Sequence, residues 1–178
     1  PQGDFNARPH AARTPEEVGV CDLVMIALKT TANDQLARLL PPLVGPKTAV
    51  LTLQNGLGNE EALAKFFPPA QILGGLCFVC LNRTAPGVIQ HLDHGLIMLG
   101  EFQRWPEPRT HDLVSMFKHA GIVCKVSDQL AAAVIALAPR MKSRREVIAS
   151  SPVQCGAAPP AAPRPGPAAG GASEGLPI

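Results

Sequence analysis

Two largely apolar runs, Val24-Met25-Ile26-Ala27-Leu28 and Ala49-Val50-Leu51-Thr52-Leu53, organise the first third of the chain. Neither shows the strict alternation of a half-solvated strand. Both therefore predict strands buried on two faces, as in a parallel sheet. Between them, Leu36, Ala37, Leu39 and Leu40 supply an apolar stripe at helical spacing. Thr31 or Asn33 would cap this helix, and Pro41-Pro42 would end it. Strand, helix and strand within about thirty residues make one βαβ crossover, a unit that is almost always right-handed. The second strand runs into Gly56-Leu57-Gly58, a flexible turn. Asn59 is then placed to cap a short helix whose first turn, Glu60-Glu61, suits the positive end of the helix dipole.

Further along, residues 71–81 read as a third buried strand, in which Gly74-Gly75 permit close backbone approach. Residues 87–91 and 96–100 flank Asp93-His94-Gly95 and predict a β-hairpin with a glycine-bearing loop. A helix over residues 111–119 would bury Leu113, Met116, Phe117 and Ala120 and stop at Gly121. Residues 122–126 would close the sheet. From Ser151 onward, Ala, Gly and Pro dominate. Such a segment buries too little apolar surface to offset its ordering entropy and is predicted to be disordered.

Composition narrows the function classes. A formal net charge of +2 over 178 residues is too small to argue for nucleic acid or an acidic surface as partner. Aromatic residues are scarce and tyrosine is absent, which leaves little material for stacking on bases. No apolar run reaches the length of a membrane span. Cysteines at 21, 77, 80, 124 and 155 are odd in number and form no disulfide framework. They suit reduced thiols and a cytoplasmic protein.

Ligands of open α/β sheets bind just beyond the carboxyl ends of the strands. Lys29 and Asn55 stand there on successive strands, where they can face one crevice and hold an anionic ligand. A lysine at a strand end also suits a simple solvated terminus, and Asn-Gly is a strong turn former. Cys77 and Cys80 are three apart, so in a strand their sulfurs point to opposite faces and do not converge on a metal or a redox bond. His91, Asp93 and His94 give a metal too few ligands. Glu60 and Glu61, adjacent on a helix, do not face each other. The basic cluster Lys142-Ser143-Arg144-Arg145 reads as a solvated segment.

Several motifs in order extend these readings. They are Cys21-Asp22-Leu23-Val24 leading to Ala27-Leu28-Lys29-Thr30, and Leu53-Gln54-Asn55-Gly56-Leu57-Gly58-Asn59-Glu60-Glu61. Leu73-Gly74-Gly75-Leu76, Pro86-Gly87-Val88-Ile89 and Leu99-Gly100-Glu101 follow. On these, the sequence from about Gly3 to Leu130 resembles the ketopantoate reductase (2-dehydropantoate 2-reductase) family. The resemblance implies an α/β fold made of the later strands of a Rossmann-like sheet plus a β-hairpin. Residues 1–126 would be the C-terminal part of an NADP-binding domain. Residues 127–150 would be a helical segment diverging from the family, and residues 151–178 the disordered tail. The implied reaction is NADPH-dependent reduction of ketopantoate, a small 2-oxo acid, to pantoate, with a homo-oligomer as a further possibility. Lys29 would lie at the cofactor crevice, and Asn55 would reach both cofactor and substrate.

Departures from the pattern temper the implied activity. The family opens with a glycine-rich turn that lets pyrophosphate approach a helix N-terminus. The nearest string here, Gly56-Leu57-Gly58, lacks a third glycine and follows the wrong strand. The chain is expected to begin partway through the Rossmann domain. After Leu130 no lysine occurs before Lys142, so the proton-donating lysine of the family has no counterpart, nor has its glutamate. Weak or absent turnover is expected of this chain alone. The alternative is a non-catalytic α/β module that binds or assembles through an open sheet edge.

Overall fold

Residues 5–130, those described by the computed structural model, build a five-stranded sheet whose strands lie side by side in chain order. The strands are β1 (Cys21–Ile26), β2 (Val44–Thr52), β3 (Ile72–Ala85), β4 (Val88–Glu101) and β5 (Val123–Val126). β1, β2 and β3 run parallel, β4 reverses against β3, and β5 runs parallel to β4. Ile26 lies opposite Thr52, and Thr52 opposite Gly74, so the carboxyl ends of β1 and β2 are level. The expected α/β class and the parallel βαβ pairing are both present. The predicted tail, the predicted helical segment from 131 to 150 and the basic cluster at 142–145 within it lie outside the described residues.

Residues on successive strands alternate between two cores, as period-two geometry requires. On one face Val24, Ile26, Val50 and Ile72 pack with Leu36 and Leu40, with Leu63 and with Phe102. On the other, Ala49, Leu51, Leu73, Ile97, Leu99 and Cys124 pack beneath Val114 and Phe117. Helix α1 (Leu36–Leu39) and α2 (Asn59–Leu63) serve the first face, and α3 (Pro108–His119) serves the second. β2 is buried without a break from Thr48 to Thr52, as its apolar text requires.

Several expectations are corrected. β1 is not buried throughout: Asp22 and Met25 are exposed, and the strand has a paired neighbour on one edge alone among the described residues. The predicted helix after β1 is a 3-10 segment, Thr30–Gln35, followed by the single turn of α1, and Ala37 points to solvent. Neither Thr31 nor Asn33 caps it. Both lie inside the 3-10 segment, and the Asn33 side chain bonds elsewhere. Asn59 does not cap α2 either; Gly58, in the left-handed region at φ 86°, takes that position.

The hairpin is also displaced. Its turn is Pro86-Gly87, with Ala85 opposite Val88 and Gly87 at φ 76°. Proline followed by a positive-φ glycine is the signature of a type II turn. Asp93-His94-Gly95 is instead an irregularity inside one continuous β4, with His94 at φ 67° and the register shifting opposite Phe78 and Val79. Only the first three residues of β3 are fully buried; beyond Cys80 the β3–β4 ribbon runs out into solvent. In α3 the buried residues are Thr110, Val114 and Phe117, while Met116 and Ala120 are exposed. Gly121 does terminate it, at φ 77°. Its N–H reaches Lys118 O and the Ile122 N–H reaches Phe117 O, a Schellman closure.

Candidate functional site

The loops after β1 and β2 meet at the carboxyl ends of these two parallel strands. The Leu53 N–H donates to Ile26 O at 2.9 Å, extending the pairing past the strands. Lys29 then precedes the 3-10 segment in extended conformation, and its carbonyl accepts the Ala32 N–H at 2.9 Å. Asn55 follows Gln54 at the start of the glycine turn, where Gly56 has φ 111°. The structure thus puts both sequence-predicted residues at neighbouring strand tips. Both are exposed, and neither side chain hydrogen-bonds or ion-pairs among the described residues. An ammonium and a carboxamide are suitable donors for phosphate, carboxylate or carbonyl oxygens. The neighbouring glycines leave the backbone open to close approach.

Sequence reading missed what ties these loops together. Gln54 Nε2 donates to Asn33 Oδ1 at 2.8 Å, and Asn33 Nδ2 donates to Asn59 Oδ1 at 3.2 Å. Asn59 Nδ2 in turn donates to the carbonyls of Gln54 and Gly56 at 3.4 and 3.3 Å. Thr52 Oγ1 donates to Gln54 Oε1 at 3.2 Å. Gln54 and Asn59 are buried, which a carboxamide tolerates only when its hydrogen bonds are made. The available signal was a carboxamide directly behind an apolar strand, with another in each flanking turn.

A second feature lies off this crevice. A cavity of about 600 Å³ is lined by Glu60, Glu61, Glu101, Arg104, Trp105 and Asp128, among others. Neither Lys29 nor Asn55 borders it. Four carboxylates against one arginine disfavour an anionic ligand there. Burial pushes the Glu60 carboxyl above its ordinary value of 4.5, and the Glu61 charge adds to this against a backbone hydrogen bond that lowers it. Glu101 is already committed: it accepts from Arg109 through both oxygens and from Thr110 Oγ1 at 2.5 Å. That hydrogen bond pushes the Arg109 guanidinium further up.

The remaining candidates carry no chemistry. Cys77 packs against the α3-side core, where burial raises its thiol pKa, and Cys124 is raised for the same reason. Cys77 pairs across the ribbon with Ile97 and Cys80 with Asp93. Among the described residues no group of His, Cys, Asp or Glu is placed to hold a metal. His91 and His94 engage Asp93 locally. No helix of the described residues is long and apolar enough to cross a membrane.

Comparison with known proteins bears on these loops. The family described as Ketopantoate reductase PanE/ApbA matches residues 1–104. A 2-dehydropantoate 2-reductase of Nostoc sp. is 50% identical over 105 residues, covering 56% of this chain and 32% of that protein. One from Halobacterium salinarum is 32% identical over 120 residues, covering 67% of this chain and 39% of its own length. The crystal structure of 2-dehydropantoate 2-reductase from Geobacter metallireducens superposes with a TM-score of 0.66 at 49% identity. It covers 71% of this chain and 42% of that one. The chain thus spans between a third and two-fifths of the length of the curated relatives named here.

Proposed function

We propose, from the premise that this chain belongs to the ketopantoate reductase family, that its two strand-tip loops form part of a site for NADPH-dependent reduction of ketopantoate to pantoate. In this reading residues 1–126 are the later part of an NADP-binding domain. The observation that carries it is the pair of exposed, unengaged donors, Lys29 and Asn55, on loops held together at the carboxyl ends of β1 and β2. That is where an open α/β sheet binds a dinucleotide.

The donor set fits such a cofactor. The Lys29 ammonium would bind an anionic or carbonyl oxygen of cofactor or substrate. The Asn55 carboxamide would contact the cofactor and also donate to the ketone oxygen, a contact that strengthens as the oxygen gains negative charge. The chemistry a bound reduced nicotinamide would supply is a hydride for the ketone carbon, and the oxygen would take its proton from water. Gly56 and Gly58, both at positive φ, themselves place no side chain beside Asn55.

The test is binding first and turnover second. The full chain is titrated with NADPH by nicotinamide fluorescence, then mixed with ketopantoate and followed at the nicotinamide absorbance. Lys29→Ala and Asn55→Ala are each expected to weaken NADPH binding about tenfold or more, the size of a hydrogen bond involving a charged group or of an oriented polar contact. Turnover by this chain alone is expected to be weak. Unchanged affinity in both variants contradicts the site.

A further inference from the structure

We infer that Asn33, Gln54 and Asn59 form a carboxamide latch that positions Lys29 and Asn55 relative to each other; the inference rests on the site proposed above. The three residues are not expected to touch a ligand. They act through the two loops.

The latch adds side-chain crossings beyond the Leu53 to Ile26 backbone bond that already joins the two strand ends. Gln54 stands at the end of β2 and Asn33 within the 3-10 segment after β1, and their 2.8 Å bond crosses from one loop to the other. The 3.2 Å bond from Asn33 to Asn59 makes a second crossing, this time to the first residue of α2. Asn59 then grips the carbonyls of Gln54 and Gly56, the residues on either side of Asn55. On the other loop, Asn33 is joined to Lys29 through the 3-10 segment that the Lys29 carbonyl begins. Each anchor of the latch therefore lies within a few residues of one of the two donors.

Donor and acceptor roles are used in sequence. Asn33 accepts from Gln54 and donates to Asn59, which donates onward to the backbone. No buried side-chain nitrogen or oxygen among the described residues is left without a partner. Gln54 and Asn59 are buried and Asn33 is half-buried, so rearranging the chain would leave buried carboxamides without partners. Apolar side chains would fill the same space but would not fix the relative height of two glycine-containing loops. A site that needs two groups from separate loops loses rate and affinity when either shifts by about an ångström.

A double-mutant cycle tests it on the full chain. NADPH affinity is measured for the unmodified sequence, Asn33→Ala, Asn55→Ala and the double variant. Asn33→Ala is expected to weaken binding roughly tenfold, the size of one or two hydrogen bonds lost. In the Asn55→Ala background the same change should cost less, about threefold, because one of the two groups it positions is gone. Full additivity overturns the latch. Asn33→Asp keeps the shape and the acceptor for Gln54 but loses the donor to Asn59, and should weaken binding likewise if the alanine variant does not fold. In the nucleotide-free chain, the side-chain NH₂ signals of Gln54, which donates to Asn33, should move toward free-carboxamide positions in Asn33→Ala. Unmoved signals overturn the latch whether or not NADPH binds. If those signals move but the unmodified chain does not bind NADPH, the cofactor reading fails and the positioning role falls with it, leaving only the hydrogen bonds.

Discussion

The Glu101 side chain has no exposed surface, and its carboxylate is held by hydrogen bonds from Arg109 and Thr110. Removing Arg109 would strand that charge. A fully buried pair costs about 3–5 kcal/mol to break, but the guanidinium is partly exposed, so Arg109→Ala should cost about 2 kcal/mol. A denaturant titration reads this as a lower midpoint with an unchanged slope. Glu60 behaves in the opposite sense. Its folded pKa lies above the ordinary 4.5, so the folded chain holds the proton more tightly than the unfolded one. Its contribution is therefore fully favourable below about 4.5 and is lost as pH rises through the folded value. Glu60→Gln should stabilise the chain at neutral pH, with the gain vanishing in acid; pH-dependent thermal unfolding checks it. At this scale the sequence exposed the two donors but not their supports. Lys29 and Asn55 stand out because each follows an apolar run. The roles of Asn33 and Asn59 depend on partners 21 and 26 residues away, and local spacing suggested caps instead.

Elements with strong local text were legible, and those settled by tertiary contacts were not. β2 lies between two neighbours and is apolar from Ala49 to Leu51, so its burial there follows from its residues. β1 has similar text but an open outer side, which periodicity cannot report. The Gly121 stop was readable because only a residue tolerant of positive φ fits a Schellman closure. The hairpin turn was misplaced because Asp93-His94-Gly95 offers turn residues as good as Pro86-Gly87, and strand register decided between them. Tight packing makes its own prediction. A Cβ on Gly100 would lie 2.7 Å from the Ser127 carbonyl oxygen and 3.1 Å from the Leu130 Cβ. Gly100→Ala should destabilise by about 1–3 kcal/mol, the usual cost of overpacking, measured by chemical denaturation.

Over the described residues as a whole, the sheet has two cores, one on each face. The chain matches its named curated relatives over a third to two-fifths of their length. The outer edge of β1 has no strand beside it among the described residues. Family membership was legible from ordered motifs, because Leu-Gln-Asn-Gly and its companions keep their spacing across the sheet. The acidic cavity at Glu60, Glu101 and Asp128 was not, since its walls come from three distant segments. The two regions give opposite expectations for an anionic nucleotide, and one experiment separates them. Backbone NMR signals of the full chain are followed during an NADPH titration. The account predicts shifts concentrated at Lys29–Asn33 and Gln54–Asn59, with the β3–β4 ribbon unmoved. Shifts centred on Glu101–Trp105 and Asp128–Leu130, or none at all near Lys29 and Asn55, would contradict it.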